Sequence, residues 1–437
     1  MRADRYKTEQ TRKPKRKKSR ILKVLLLLIL MLLRAIPSTV YYLYKDAKDS
    51  LYVNISDNDI SFEVGEKVLA TDCISDYSGN LFFDSGESSY SVFEAHDPVS
   101  YDDFYLDSDE AGEYTINGFV EQPIIGGYLA PYKTFSFSYT VTDNTPPLMI
   151  WSGDGAVVIK GEPFDIKSVI AYGDNADPDP KVEYEGDVDT DTVGSYPLHV
   201  TVSDASGNSI DWDFTVNVAE SAPAYSDDST PYNFSDFVKS NAGDGRHFGI
   251  DVSSWQGDID FEAVKKAGCE FAIIRIGYSH DGEVTMDDKF EQNLERAKTA
   301  GIPVGLYMYS YDNTEEEVRS AAQWIVSQLG GEALELPVAF DWEDFGVFQT
   351  YEMSFIGLNR LYDAFADELE AAGYDAMLYG SKTYLEKIWA NTYTRPVWLA
   401  HYTDNTDYAS PYRIWQASSS GRIDGIAGAV DMDIMYD

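Results

Sequence analysis

The sequence predicts a multidomain chain. It has an N-terminal transmembrane helix, two all-β sandwiches, and a C-terminal α/β domain closed as a modified TIM-type β/α barrel. Three observations carry that expectation. An apolar run follows a basic leader, and from residue 247 onward buried strands alternate with amphipathic helices. Between these regions, alternating strands repeat with a period of roughly ninety residues, the mark of two tandem copies. At 437 residues and 44% hydrophobic composition, the chain has material for several cores. A net charge of −40 excludes nucleic-acid binding by phosphate neutralisation. The two cysteines, Cys73 and Cys269, fall in different predicted domains, so no disulfide framework and no zinc-ligand spacing exists. Neither a metal nor a cofactor is expected.

Residues 1–20 read as a basic cytoplasmic tail, with eleven Lys/Arg against two acids in the first 23 positions. A basic flank ahead of an apolar run stays inside while the rest is exported. The apolar segment at 21–44 contains the unbroken run 24–33, then Arg34, then Tyr41, Tyr42 and Tyr44 as an interfacial belt. It reaches the ~20 residues a bilayer requires. The reading is an uncleaved single-pass anchor with the remaining domains outside the cell. A removed signal segment, giving a secreted protein, is the alternative.

Two sandwiches are expected at 51–143 and 144–219. Glu63-Val64-Gly65-Glu66-Lys67 is echoed by Ile159-Lys160-Gly161-Glu162-Pro163, and Ala111-Gly112-Glu113-Tyr114 by Val193-Gly194-Ser195-Tyr196. Each copy ends in an alternating strand, one face buried and one wet. The first copy carries an acidic insert around 97–109. The second holds Asp143-Asn144-Thr145-Pro146-Pro147, Gly173-Asp174-Asn175 and a Ser203–Asn208 turn. On those motifs it resembles bacterial immunoglobulin-like domains of surface proteins, which implies a spacer or adhesive module. The Asp/Asn clusters read as turn formers; calcium is the competing reading, without EF-hand spacing. A small, polar, proline-rich stretch at 220–246 reads as a linker.

In 247–437, strands are expected near 248–252, 271–276, 304–309, 338–342, 376–379, 397–400, 414–417 and 430–435, with helices between most of them. Eight strands in strand–helix alternation suggest a closed parallel barrel, short enough that late helices must be trimmed. The pivotal stretch is Pro337-Val338-Ala339-Phe340-Asp341-Trp342-Glu343-Asp344. Side chains alternate along a strand, so Asp341 and Glu343 share a face. Two neighbouring carboxylates are the minimum equipment for cleaving a glycosidic bond. In a parallel barrel function gathers at the strand ends. These carry Asp251, the Asp341/Glu343 pair, Tyr379, Trp398 with Tyr402, Gln416, and Asp431 with Asp433. Acids ringed by flat aromatic side chains make the composition of a sugar cleft.

Five motifs then appear in order: Gly249–Gln256, Phe340-Asp341-Trp342-Glu343, Val397–Tyr402, Ile414-Trp415-Gln416 and Val430-Asp431-Met432-Asp433. Together they resemble glycoside hydrolase family 25, the Chalaropsis-type N-acetylmuramidases, over residues 247–437. The resemblance implies a lysozyme that hydrolyses the β-1,4 bond between N-acetylmuramic acid and N-acetylglucosamine of peptidoglycan. It implies Asp251, Asp341, Glu343 and Asp431 as the catalytic acids. Glu343 is expected to be the general acid, its pKa raised by a neighbouring Asp341 anion. Tyr307, Tyr379, Trp398, Tyr402 and Gln416 are expected to contact sugar. The expected partners are peptidoglycan and, through the N-terminal helix, the membrane, with the protein otherwise a monomer. A chitinase-like glycosidase and a non-catalytic wall-binding protein are the competing functions.

Overall fold

The computed structural model describes residues 17–56, 59–83, 104–222, 231–389 and 395–437, with side chains from residue 21 onward. The basic tail as far as residue 16 and the acidic insert as far as residue 103 lie outside the described residues. The chain forms two compact units, Met1–Thr142 and Asp143–Asp437.

In the first unit, α1 (Lys17–Ser50) is longer at both ends than the expected 21–44 and runs through Pro37. Pro37 removes one backbone donor from its interior; the hydroxyls of Ser38 and Thr39 bond the Arg34 and Ala35 carbonyls beside it. Among the described residues it is the one helix long and apolar enough to cross a membrane.

The first β module has β1 (Val53–Ile55), β2 (Ile60–Glu63), β3 (Ile74–Tyr77), β4 (Asn80–Phe83), β5 (Gly112–Glu121) and β6 (Tyr132–Thr142). They form a four-stranded sheet in the order β2-β6-β5-β4 and a separate β1-β3 pair. The second unit opens with β7 (Leu148–Trp151), β8 (Val157–Ile159), β9 (Ala171–Gly173), β10 (Lys181–Glu185), β11 (Gly194–Ser203) and β12 (Ser209–Ala219). Its order is the same, β8-β12-β11-β10 with a β7-β9 pair. The repeat read from the sequence is therefore a repeat of topology. Phe214 and Val216 alternate inward from β12 onto Val158, Ile170 and Tyr172.

The expected linker at 220–246 is in part structure. After the undescribed residues 223–230 come β13 (Tyr232–Asn233), paired with a later strand, and α2 (Phe234–Asn241). The physical reason is the aromatic pair Phe234 and Phe237, spaced one helical turn apart and buried in the core that follows.

That core belongs to the C-terminal domain. Its elements are β14 (Arg246–Val252), α3 (Phe261–Lys266), β15 (Phe271–His280), β16 (Glu283–Met286), α4 (Phe290–Ala300), β17 (Val304–Ser310), α5 (Glu315–Leu329) and β18 (Val338–Asp341). Then follow α6 (Phe355–Ala371), β19 (Ala376–Ser381), α7 (Lys382–Lys387), β20 (Val397–Ala400), β21 (Ile414–Arg422) and β22 (Val430–Tyr436). The sheet runs β21-β20-β19-β18-β17-β15-β14-β22 and closes through β21–β22 pairing. One expectation is corrected: β22 runs antiparallel to both neighbours. Only residues 423–429 connect it to β21. That suffices for a hairpin and not for the crossover a parallel strand needs.

Local rules place the helices. Thr314 and Glu317 form a capping box at the start of α5, three glutamates occupy its first turn, and Gly330 at φ 57° ends it.

The second β module is docked on this domain and is not a free spacer. Gln349, in the loop after the Asp341/Glu343 strand, donates to the carbonyls of Lys167 (2.9 Å) and Ile170 (3.0 Å). Phe355 N and Ile356 N, opening α6, donate to the carbonyls of Asp174 (2.8 Å) and Asn175 (3.1 Å). Gly173 permits the approach: a Cβ there would stand 2.6 Å from the Phe348 ring and 2.7 Å from that of Phe355. Leu148 and Ile150 complete the seam against the barrel's apolar core.

Candidate active site

Strand periodicity builds the site. On β18, Val338 and Phe340, with Trp342 beyond the strand end, pack outward among the helices, whereas Ala339 packs inside the closed sheet. Asp341, and Glu343 just past the strand end, are in phase with Ala339 and so face the interior. The same alternation aims the other strands. Ile250 and Val252 face outward, leaving Asp251 inward; Val430, Met432 and Ile434 face outward, leaving Asp431 and Asp433 inward. Phe271, Ile273, Leu336, Ala339, Met377 and Ile414 form the apolar floor beneath.

Asp251 and Asp431 are direct cross-strand partners. Because β22 is reversed, Asp431 reaches the rim from the start of its strand, not from the end as the sequence reading assumed. The structure thus brings Asp251, Asp341, Glu343 and Asp431 to one mouth. Glu343 acts electrostatically on Asp341, and Asp431 acts on both Glu343 and Asp251.

A hydrogen-bonded frame holds them. The hydroxyls of Tyr379 (3.0 Å) and Tyr402 (2.9 Å) donate to Gln416 Oε1, and Gln416 Nε2 donates to Asp251 Oδ2 at 2.8 Å. Trp398 Nε1 donates to Asp433 Oδ1 at 2.8 Å, and Asp433 shares a hydrogen bond with Asp251. Trp398 is only 1% exposed, so it faces acids and not an open surface. Tyr379 and Gln416 are likewise buried, and Tyr307 packs edge-on to Trp398. Of the expected sugar contacts, Tyr402 is the open one, at 56% exposure.

Burial shifts the acids upward. Asp251 lies well above the ordinary carboxylate range, through desolvation and then the charges of Asp431 and Asp433. Asp433 is pushed up to about 8 and Asp431 to about 6, chiefly by desolvation. Glu343 stands exposed on the rim, yet dense surroundings and the Asp431 charge raise its carboxyl to about 7. The expected cause, an Asp341 anion, is thus replaced by burial and Asp431. Asp341 is also raised, by burial and then by Glu343, while Arg275 pulls it the other way. The Asp341/Glu343 pair therefore titrates as a unit.

Three residues given no role of their own in the sequence reading matter here. Arg275 is braced by Asp287 (Nη2 to Oδ2, 2.7 Å) and by Ser254 Oγ (3.1 Å). Its signal was an arginine inside the apolar strand Phe271-Ala-Ile-Ile-Arg-Ile276, in phase with Phe271 and Ile273. Asp433 sat inside a recognised motif. Trp255, 84% exposed on the turn just after Asp251's strand, is the open aromatic surface there. A cavity of about 510 Å³ lined by Asp258, Phe261, Glu295 and Arg296 contains none of these residues.

A closed β/α sheet with interior carboxylates converging from its first, fourth and eighth strands defines the class. The chain belongs to glycosyl hydrolases family 25, whose family model matches residues 250–426, and the model of the bacterial surface protein Ig-like domain matches 151–218. It is similar to "Probable GH family 25 lysozyme 2" of Dictyostelium discoideum, 30% identical over 183 residues, covering 40% of this chain and 82% of that one. It is also 29% identical over 187 residues to "Autolytic lysozyme" of Clostridium acetobutylicum, and 29% identical over 206 residues to "Lysozyme M1" of Streptomyces globisporus. Both matches take in 42% of this chain and span 54% and 65% of those relatives' own lengths.

Proposed function

We propose that this protein is a peptidoglycan hydrolase, a lysozyme cleaving the β-1,4 bond between N-acetylmuramic acid and N-acetylglucosamine. The observation that carries the reading is the Asp341/Glu343 pair at one rim with Asp251 and Asp431, with the Glu343 carboxyl raised to about 7. Glu343 donates its proton to the leaving-group oxygen as the glycosidic C–O bond breaks. Asp341, whose anionic form Arg275 favours against burial, stabilises the positive charge that develops. It acts either on the oxocarbenium-like centre or by accepting the N–H of a 2-acetamido group whose oxygen attacks C1. Water then adds at C1 and its proton returns to Glu343. Asp251 and Asp433, fastened by Gln416 and Trp398, form the electrostatic frame. Trp255 and Tyr402 are the open aromatic surfaces for sugar rings.

The barrel is read as a modified TIM-type fold at 247–437, preceded by immunoglobulin-like sandwiches at 51–143 and 144–219. α1 is read as a single-pass anchor that leaves a monomeric body outside the cell; that its chain is long and apolar enough supports this reading.

Digesting purified peptidoglycan and identifying the new reducing end tests the activity. N-acetylmuramic acid at that end is expected. N-acetylglucosamine there, or cleavage of chitin oligomers in preference, points to the chitinase-like alternative. Binding without any new reducing end sinks the enzyme reading.

A further inference from the structure

Outside the barrel mouth, the second β module gathers a separate set of carboxylates. Asp143 precedes β7, Asp174 follows β9 and Asp204 follows β11, so three loops meet at one end of the module. One carboxylate oxygen from each lies within 4.8 Å of the others, and all three residues are buried. Among the described residues none of the three is in an ion pair; Lys167 goes to Asp179 instead, at 3.9 Å.

The hydrogen bonds explain only part of this arrangement. Asp174 Oδ1 accepts the N–H groups of Ala176 (2.9 Å) and Asp177 (2.7 Å). Asp204 accepts Asn208 N and Asn208 Nδ2, both at 2.8 Å, and Asp143 Oδ1 accepts Thr145 N and Asn175 Nδ2, both at 3.2 Å. Asp174 Oδ2 has no partner, although Asp174 is 0% exposed, and the neighbouring Asn175 Oδ1 is also buried without one. Burial, with the charges of Asp143 and Asp204, pushes the Asp174 carboxyl up to about 6. Buried like charges with an orphaned oxygen are costly unless a cation joins them.

We propose that Asp143, Asp174 and Asp204, with Asn175 Oδ1, form a calcium-binding site. The donors are all hard oxygens, which excludes a preference for zinc or copper. Calcium takes oxygen ligands at about 2.3–2.6 Å, so two ligands of one ion stand at most ~5 Å apart. The observed spread meets that limit. Magnesium favours a tighter octahedron that retains several waters and matches three dispersed loops less well. The site also touches the seam: the carbonyls of Asp174 and Asn175 accept the first N–H groups of α6. Calcium therefore braces the end of the module that holds the barrel. This assignment is independent of the hydrolase reading.

The test uses the full chain in detergent, stripped with chelator, then followed by thermal unfolding and by calorimetric titration with calcium chloride or magnesium chloride. Calcium at about ten times its Kd is expected to raise Tm by roughly 3–6 °C. Asp174→Asn keeps the shape and the Oδ1 bonds but removes the charge and the free oxygen. It is expected to unfold no earlier than the stripped wild type and to lose the calcium shift. Should that variant not fold, Asp204→Asn and the wild-type titration decide. No calcium heat, a calcium shift surviving in the variant, or an equal response to magnesium each overturns the assignment.

Discussion

Two acid clusters lie in the same compact unit and are finished differently. At the barrel mouth side-chain donors hold part of the set, Gln416 on Asp251 and Trp398 on Asp433, while Arg275 acts on Asp341 by charge alone and Asp341 Oδ1 and Asp433 Oδ2 are buried without a partner. In the β module the grip on Asp174 comes from backbone N–H groups alone, and one oxygen stays free. The first arrangement keeps protons near neutral pH within reach of a substrate. The second leaves a buried oxygen of Asp174 unpartnered beside two further carboxylates, the arrangement on which the calcium proposal rests. Burial raises acids in both places, so a shifted pKa does not separate the two roles. The partners do.

The contrast can be broken most severely at Glu343. Glu343→Gln retains the shape and removes the proton, so turnover on peptidoglycan should fall roughly 100- to 10,000-fold with Tm unchanged. Retained turnover would place the general acid elsewhere. Next comes the frame. Gln416→Leu strands Asp251 and the hydroxyls of Tyr379 and Tyr402, at a cost of about 1–3 kcal/mol per unsatisfied group. Activity and stability should drop together, read by kinetics and chemical denaturation.

The pH profile sharpens the proton-holding side. The alkaline limb should follow Glu343 near 7, since the acid is spent once ionised, and the acidic limb should follow protonation of Asp341. Asp431→Asn removes the anion that raises Glu343, so the alkaline limb should move to lower pH. An unmoved limb would remove Asp431 from the circuit. Across the seam, Gln349→Ala leaves the carbonyls of Lys167 and Ile170 unpaired, again about 1–3 kcal/mol. It should lower Tm while leaving the calcium response of the β module intact. The smallest effect is expected at Trp255→Ala, which exposes no core: KM should rise while kcat and stability hold.

Much of this was legible in the chain because period-2 alternation is a local property. Reading Val338-Ala339-Phe340 as a buried strand is enough to put Asp341 and Glu343 on one face. The tandem echo around Gly65 and Gly161 likewise reported a shared strand order. What escaped were contacts made at distance. Arg275 is a lone charge in an apolar strand until Asp287 and Ser254 are seen to brace it. The stretch around Phe234 resembles a tether by composition, yet two aromatics one turn apart are buried once the barrel offers a core. Trp398 has the composition of a sugar platform, and only packing shows that its ring is covered and its N–H committed to Asp433.

The sequence by itself determined the strands, their inward faces, the family and the acids available, since these follow from residue type and short-range spacing. Tertiary structure alone decided the reversal of β22, which brings Asp431 to the rim from the opposite end, and the meeting of Asp143, Asp174 and Asp204 from three loops. It also decided that the β module leans on the loop after Glu343. The physical reason is that these depend on chain closure and long-range burial, where loop length and packing, not local preference, choose among arrangements.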